Sequence, residues 1–208
     1  MLSYLPLALS GRFLIAAIVL AAGTSSRMGK SKQTLLLSGK PMLEKVLDVY
    51  RQAGVGAIIV VLGAGTAEIR RKVNLEKETV IINRLYRKGM SGSLRLGLRA
   101  AEEKADAVIV ALADQPFVTP GTIDIMIKTY ARTRAPMVVP VYHGVRGNPV
   151  LFDKSVFPEI KRIRGDRGAK SVVERHRDSL KEVPVEDRGV LVDIDTPSDY
   201  SKAKSRQT

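Results

Sequence analysis

A loop of small residues with basic side chains directly follows an apolar run near the start of the chain. The loop begins at Gly23 and carries Arg27 and Lys32, and it matches neither the P-loop pattern nor the dinucleotide-binding fingerprint. Small residues let backbone amides approach a phosphate closely, and the two basic side chains supply positive charge for a triphosphate. The segment therefore indicates phosphate binding, although the residues leave open an ordinary strand-to-helix turn with exposed bases.

Two acidic segments have the residue types that hold a divalent cation. Asp114 follows the apolar run of residues 107–112, and a carboxylate at the end of such a strand can bind Mg²⁺ together with substrate phosphates. Near the C-terminus, Asp193 and Asp195 precede Thr196. Structural roles remain open for both segments, because an Asp before proline is common in turns and Thr196 could cap a helix.

The elements that position these segments alternate along the chain. Apolar runs rich in β-branched residues predict strands buried on both faces, and amphipathic stretches between them predict helices. Strands are predicted over residues 15–20, 57–62, 79–82, 107–112, 137–142, 148–152, 180–185 and 190–194. Helices are predicted from Pro41 to a cap at Gly54, over residues 67–73, 91–101, 120–132, 154–162 and 169–175, and after Pro197.

This alternation predicts an α/β fold, with one twisted, mostly parallel, Rossmann-like sheet and helices on both faces. No linker interrupts residues 14–205, which we assign to a single domain, and residues 1–13 form an N-terminal extension of unknown structure. Pro6 and Arg12 interrupt the apolar N-terminal run, and no positive charge precedes it. We therefore expect a cytoplasmic protein with no membrane partner.

Composition narrows the function further. The net charge of +13 favours anionic partners, such as nucleic acid or phosphorylated small molecules. The basic residues are dispersed, however, and four Phe, six Tyr and no Trp are few aromatic side chains for an RNA reader, so we expect no nucleic-acid partner. The absence of cysteine excludes a thiolate metal site and a cysteine nucleophile, and His143 and His176 lack metal-ligand spacing.

Several segments, in order along the chain, resemble the MobA-like NTP transferases, the family of the molybdenum cofactor guanylyl- and cytidylyltransferases. The segment from Leu20 to Gln33, Leu-Ala-Ala-Gly-Thr-Ser-Ser-Arg-Met-Gly-Lys-Ser-Lys-Gln, is similar to the family's first-strand motif, and its Ala-Ala-Gly form resembles the cytidylyltransferase branch. Asp-Gln-Pro at Asp114 and Asp-Thr-Pro at Asp195 resemble the family's two metal-binding segments. The resemblance extends from Ile15 to about residue 202 and implies the nucleotide-diphospho-sugar transferase fold.

The resemblance implies a role for each matching residue. Arg27 and Lys32 would be catalytic, holding the triphosphate and offsetting charge on the leaving pyrophosphate, and Asp114 and Asp195, rather than Asp193, would hold Mg²⁺. The nucleotide-binding residues would be Leu20, Ala21, Ala22, Gly23, Asn83, Gly89 and Ser93. The acceptor-binding residues would be Asn148, Asp166 and Gly168. Lys170 stands where the family commonly has Arg, which keeps the charge and loses the bidentate fork.

The reaction that the resemblance implies is the transfer of CMP from CTP to a molybdopterin cofactor, with release of pyrophosphate and with a recipient molybdoenzyme as a further partner. Guanylyl transfer to the same cofactor, or transfer to a sugar or polyol phosphate, remains an alternative within the same fold. A basic nucleic-acid-binding protein and a nicotinamide-dependent oxidoreductase are alternatives of other classes.

Overall fold

The structure is a computed structural model that describes residues 13–24, 28–29 and 31–205, with Arg167 described by its backbone alone. Residues 1–12 of the predicted extension and the predicted catalytic residue Arg27 therefore lie outside the described residues.

One mixed sheet forms the centre of the molecule. In chain order, the strands are β1 (Ile15–Ala21), β2 (Leu36–Leu37), β3 (Lys40–Pro41), β4 (Ala57–Leu62), β5 (Thr79–Ile82), β6 (Ala107–Leu112), β7 (Met137–Tyr142), β8 (Val145–Arg146), β9 (Val150–Asp153) and β10 (Lys181–Pro184). The order across the sheet is β10-β7-β9-β6-β1-β4-β5, with β8 paired to β7 and with β2 and β3 forming a separate hairpin. β9 runs antiparallel to both of its neighbours, whereas the β5-β4-β1-β6 half is parallel.

Helices cover both faces of this sheet. They are α1 (Met42–Gln52), α2 (Thr66–Lys72), α3 (Met90–Ala101), α4 (Pro120–Thr133), α5 (Phe157–Arg162), α6 (Lys170–Arg175) and α7 (Pro197–Ser205). β1 is buried throughout, and its alternate residues belong to two cores: Ala17 and Val19 pack with α1, α2 and α4, while Ala16 and Ile18 pack with α3, α5 and α6. The predicted α/β fold with a mostly parallel sheet between two helical layers is confirmed.

The helices form where side-chain spacing and capping favour them. In α1, Leu43, Val46, Leu47 and Tyr50 lie on one face and are buried. α4 begins after Thr119, whose side chain accepts a hydrogen bond from the amide of Thr122. Replacing a fully buried leucine such as Leu47 by alanine should cost about 2–5 kcal/mol of folding free energy.

The strand predicted over residues 190–194 is wrong. A 3-10 turn spans Arg188–Leu191, and the chain then runs irregularly into α7. The carbonyl of Val190 accepts from the amide of Asn148, whereas the amide of Ile194 donates to the carbonyl of Asp114. Val190 is buried in the core that contains α1 and α4, whereas Ile194 is buried in a small separate cluster with Leu37, Met42 and Ala203. Two different packing environments thus produce an apolar pattern without a strand ladder.

Four of the predicted strands have the same bounds in the structure. The predicted strands over 57–62, 79–82, 107–112 and 137–142 coincide with β4, β5, β6 and β7. The two-residue strands β2, β3 and β8 were not predicted. Within the described part of the chain, no helix is both long enough and apolar enough to cross a membrane.

Candidate active site

A cavity of about 350 Å³ opens at the carboxyl ends of β1 and β6. Ligands bind at this edge of open α/β sheets, where loops from neighbouring strands meet. Its lining includes the end of β1 and the loop that follows it, the end of β6, the turn that starts at Lys32, and the start of α3. The lining residues are Leu20, Ala22, Gly23, Thr24, Lys32, Gln33, Tyr86, Arg87, Met90, Ser93, Leu112, Ala113, Asp114 and Asp166. We call this space the nucleotide-side cavity.

Lys32 joins the two predicted metal ligands at this cavity. Its Nζ lies 2.5 Å from Oδ2 of Asp114 and 2.9 Å from Oδ1 of Asp195, and it donates to both carboxylates. The exposed fractions of the three side chains are 11% for Lys32, 20% for Asp114 and 35% for Asp195. Burial lowers the pKa of Lys32, but the two carboxylates more than offset that effect and leave the pKa above its ordinary value. The ammonium group therefore stays charged between them.

Short local structures place the three side chains of this triad. Lys32 begins a 3-10 turn, Lys32–Thr34, and the side-chain amide of the next residue, Gln33, donates to the carbonyl of Ala21 at 3.3 Å. Asp114 follows the end of β6 by two residues. The amide of Ile194 donates to the carbonyl of Asp114 at 2.9 Å, and this bond brings the next residue, Asp195, beside Asp114.

The start of α7 restrains the loop on the Asp195 side. A carboxylate oxygen of Asp199 accepts from the amide and the hydroxyl of Thr196, at 2.9 and 2.7 Å, and the amide of Asp199 is 3.2 Å from that hydroxyl. These bonds hold the pKa of Asp199 below its ordinary value. The helix cap that the sequence left open for Thr196 is thus formed. It leaves the side chain of Asp195 directed at Lys32.

The donor set fits a hard divalent cation that also binds substrate oxygens. Oδ1 of Asp114 is buried and has no hydrogen-bond partner among the described residues, so it has a lone pair available for a cation. Within the described residues, no group of three or more His, Cys, Asp and Glu side chains gathers as a metal cage. Two carboxylates completed by phosphate oxygens match the way proteins bind Mg²⁺. Nearby, Asp193 accepts from the side-chain amide of Gln115 at 2.8 Å.

The predicted nucleotide-binding residues fall into two groups. Leu20, Ala22, Gly23 and Ser93 line the nucleotide-side cavity. Ala21, Asn83 and Gly89 are not part of its lining. Ala21 packs in the core on the α1, α2 and α4 face of the sheet. The side-chain amide of Asn83 donates to the hydroxyl of Ser93 at 2.9 Å, and its side-chain oxygen accepts from the backbone amide of Leu85. Asn83 thus helps to position Ser93, which lines the cavity.

Gly89 allows the loop before α3 to approach a second loop closely. Its φ is +106°, and a Cβ there would lie 2.6 Å from the carbonyl carbon of Gly165 and 2.8 Å from a carboxylate oxygen of Asp166. The same oxygen of Asp166 accepts from the amide of Met90 at 3.3 Å. A glycine at this position therefore lets the loop at residues 165–168 pack on the start of α3.

A second cavity, of about 750 Å³, lies beside the first on the α3, α5 and α6 face of the sheet. All three predicted acceptor-binding residues, Asn148, Asp166 and Gly168, line it. We call it the acceptor-side cavity. Its remaining lining residues are Leu20, Met90, Val110, Leu112, Val139, Arg146, Gly147, Val150, Phe152, Ala169, Lys170, Val173, Glu174 and Arg177. Among the described residues, Leu20, Met90, Leu112 and Asp166 line both cavities, which makes the two spaces contiguous.

Sequence reasoning missed several residues of these walls. Tyr86, Arg87 and Met90 follow β5 and Asn83 closely, and Leu112 is the last residue of β6. Their position after strand ends was a signal, because residues at that edge of the sheet face ligands. His143 and His176 line neither cavity, and His176 contacts Glu159 at 2.6 Å instead.

Comparison with known proteins adds to this geometry. The chain matches the MobA-like NTP transferase domain over residues 17–180. It is 25% identical to nicotine blue oxidoreductase of Paenarthrobacter nicotinovorans, over 88% of this chain and 92% of that protein. It is 28% identical to molybdenum cofactor cytidylyltransferase of Escherichia coli (strain K12), over 93% of this chain and 97% of that protein.

A solved structure is also similar along nearly the whole chain. The crystal structure of Rv0371c from Mycobacterium tuberculosis H37Rv has a TM-score of 0.84 and 32% identity, covering 93% of this chain and 98% of that one. A structure of the same protein in complex with manganese has a TM-score of 0.80 and 31% identity, covering 92% and 98% of the two chains.

Proposed function

The chain belongs to the MobA-like NTP transferase family, and on that premise we propose that this nucleotidyltransferase transfers CMP from CTP to a molybdopterin cofactor. The observation that carries the proposal is the triad of Lys32, Asp114 and Asp195 beside two contiguous cavities. A transferase that joins two substrates needs their reacting atoms to meet, and the residues that line both cavities lie at that meeting place. A molybdoenzyme would then receive the finished cofactor.

In the proposed reaction, a phosphate oxygen of the acceptor attacks the α-phosphorus of CTP in line. A new P–O bond forms, the bond between the α-phosphorus and the bridging oxygen breaks, and pyrophosphate leaves with the bonding electron pair. Lys32 lies at the nucleotide-side cavity with its charge ready to offset the charge on the leaving group. The same role for Arg27 stays a prediction from the sequence.

Asp114 and Asp195 would hold a divalent cation, and a bound Mg²⁺ supplies positive charge to the phosphate oxygens. The manganese complex of Rv0371c supports a divalent cation in this family. The short backbone segment at residues 22–24 lies along the same cavity and lets phosphates approach the main chain. Catalysis then rests on positioning and electrostatics, without a covalent enzyme intermediate.

The acceptor-side cavity supports an acceptor that has a large ring system as well as a phosphate. Apolar side chains that are at least partly exposed, among them Met90, Leu112 and Val173, form one wall. Exposed basic side chains, Lys170 and Arg177, stand at the rim with the opposite charge to a phosphate. A sugar or polyol phosphate would leave the apolar wall wet, whereas a pterin-type ring would cover it.

Support for cytosine as the base comes from the sequence and from one relative. The Ala-Ala-Gly form of the loop at Gly23 resembles the cytidylyltransferase branch, and the molybdenum cofactor cytidylyltransferase of Escherichia coli is similar along nearly its entire length. Guanine is the competing base, and the assay below separates the two.

The test is pyrophosphate release with Mg²⁺, each of the four NTPs in turn, and molybdopterin cofactor, a sugar phosphate or a polyol phosphate as acceptor. We expect release with CTP and molybdopterin together, and background release with either substrate alone. Asp114→Asn protein prepared in parallel reports contaminating activity. A GTP preference would overturn the base assignment, and release with a sugar or polyol phosphate would overturn the acceptor assignment.

The relative named nicotine blue oxidoreductase calls for a second arm. Incubation of the protein with a reduced nicotinamide cofactor and candidate electron acceptors should leave the absorbance of the cofactor unchanged. Oxidation of the nicotinamide, with no pyrophosphate release under any condition, would replace the transferase proposal with a redox one.

A further inference from the structure

The ammonium group of Lys32 contacts both carboxylates to which we assign a divalent cation. Its Nζ binds Oδ2 of Asp114 and Oδ1 of Asp195, so one lysine joins two segments that lie 82 and 163 residues from it in sequence. The other oxygen of Asp114 is buried without a hydrogen-bond partner among the described residues. A positive charge is therefore already present at these carboxylates, in the form of a side chain.

A cation on Oδ1 of Asp114 and on Asp195 would lie beside the ammonium group that binds Oδ2 of Asp114 and Oδ1 of Asp195. The like charges of the cation and the ammonium group repel each other at such short separation. The 3-10 turn that carries Lys32 is held by its own bonds: the hydroxyl of Thr34 donates to the carbonyl of Ser31 at 3.0 Å, and Gln33 contacts Ala21. Side-chain rotation, rather than movement of this turn, is thus the way to relieve the conflict.

From this geometry we infer that Lys32 is an internal counterion that a divalent cation displaces from Asp114 and Asp195. Without metal, the lysine holds the two carboxylates together. When the cation binds, the ammonium group turns into the nucleotide-side cavity, which Lys32 also lines, and meets the phosphates there. The inference rests on the proposed function only for the identity of the phosphates. The competition between lysine and metal does not depend on it.

This arrangement couples metal binding to nucleotide binding. The nucleotide-free protein binds the cation weakly, because the cation must first displace Lys32 from its two carboxylates. Phosphates in the cavity accept hydrogen bonds from the displaced ammonium group, so each ligand raises the affinity for the other.

The test is Mn²⁺ binding to the nucleotide-free protein, measured from the electron paramagnetic resonance signal of free Mn²⁺. Lys32→Met keeps the length of the side chain and removes its charge, and we expect it to bind Mn²⁺ at least about tenfold more tightly than the unaltered protein, because a competing charge has been removed. Lys40→Met is the matched control, since Lys40 pairs with Asp48 on the surface, and its affinity should not change. Asp114→Asn should bind more weakly. Equal or weaker binding by Lys32→Met would overturn the inference.

A second measurement uses the unaltered protein and covers the case in which Lys32→Met does not fold. Brief acylation of amines, read by peptide mass spectrometry, reports how accessible Lys32 is. Labelling of Lys32 should rise with Mn²⁺, while labelling of Lys40 stays constant. Constant labelling of Lys32 at saturating Mn²⁺ would overturn displacement.

The two hypotheses fail independently. Tighter Mn²⁺ binding by Lys32→Met without pyrophosphate release by the unaltered protein would keep the counterion and reject the transferase reaction. Pyrophosphate release by the unaltered protein, together with unchanged Mn²⁺ affinity in Lys32→Met, would keep the transferase reaction and reject the counterion.

Discussion

The two cavities share a border and differ in nearly everything else. The nucleotide-side cavity lies where consecutive parallel strands end, and the charged triad of Lys32, Asp114 and Asp195 stands beside it. The acceptor-side cavity has about twice the volume and lies against the mixed part of the sheet, where β9 runs antiparallel between β6 and β7. Under the proposed function, separate parts of one sheet would therefore carry the phosphate chemistry and the choice of acceptor.

The separation has a physical basis. Charges that stabilise a phosphoryl-type transfer must be fixed in position, and strand ends that belong to the buried centre of a sheet provide that rigidity. Recognition of a ring system needs apolar area and a shaped wall, which the strands and helices on the α3, α5 and α6 face supply. Substitutions on the two sides should therefore have separable effects on kcat and on the two KM values.

The largest effect on turnover is expected for a substitution in the triad. Asp114→Asn should lower kcat by about 10³-fold or more, because it removes charge at the cation and at Lys32. The KM for the acceptor should change little, since Asp114 does not line the acceptor-side cavity. Steady-state pyrophosphate release measures both. Asp178→Asn, at an exposed position, is the matched control, and near-normal turnover by Asp114→Asn would reject the site.

A substitution at the border between the two cavities should affect the kinetics with both substrates. Gly89→Ala would push a Cβ into Gly165 and Asp166, and we expect kcat/KM to fall about 30-fold for CTP and for the acceptor, with a stability loss of about 1–3 kcal/mol. Gly54→Ala is the control, because Gly54 also has a positive φ, +64°, but has open space around it. It should lower the melting temperature without changing kinetics. A loss confined to one substrate would contradict a shared border.

A substitution at the rim of the acceptor-side cavity should change the KM for the acceptor alone. Arg177→Ala removes an exposed charge beside this cavity, and we expect the KM for the acceptor to rise about tenfold at low ionic strength, and less at high salt because solvent ions screen the contact. The KM for CTP should stay constant. Arg162→Ala, at another exposed site, should change neither value. A rise in the KM for CTP would show that the rim serves the nucleotide.

The smallest expected effect is at Lys170, where the sequence resemblance implies that arginine is common. Lys170→Arg introduces a bidentate fork at the same cavity, and the KM for the acceptor should fall by about threefold or less. Titration of the acceptor at fixed CTP measures it, with Lys154→Arg as the control at an exposed site. An increase in this KM would mean that Lys170 makes a contact that a guanidinium cannot replace.

The bounds of the strands in the parallel half could be predicted closely because these buried strands are continuous apolar runs in the sequence. β4 and β6 are each covered on both faces, so each is apolar at almost every position. The prediction failed over residues 190–194, where Val190 and Ile194 are buried in two different hydrophobic clusters. Periodicity alone cannot distinguish that burial from a strand, because it records which residues avoid water and not what covers them.

The amino-acid sequence was sufficient to indicate an α/β sheet, a phosphate-binding loop after its first strand and two acidic segments suited to a cation. Residue types and short-range patterns carry that information, since they follow from local burial and turn chemistry. The ion pairs of Lys32 with Asp114 and Asp195, across 82 and 163 residues, exist only in the folded chain. So does the contact of Gly89 with the loop at Gly165. Such contacts depend on strand order and on the close approach of loops, which packing of the whole sheet establishes and no local pattern records.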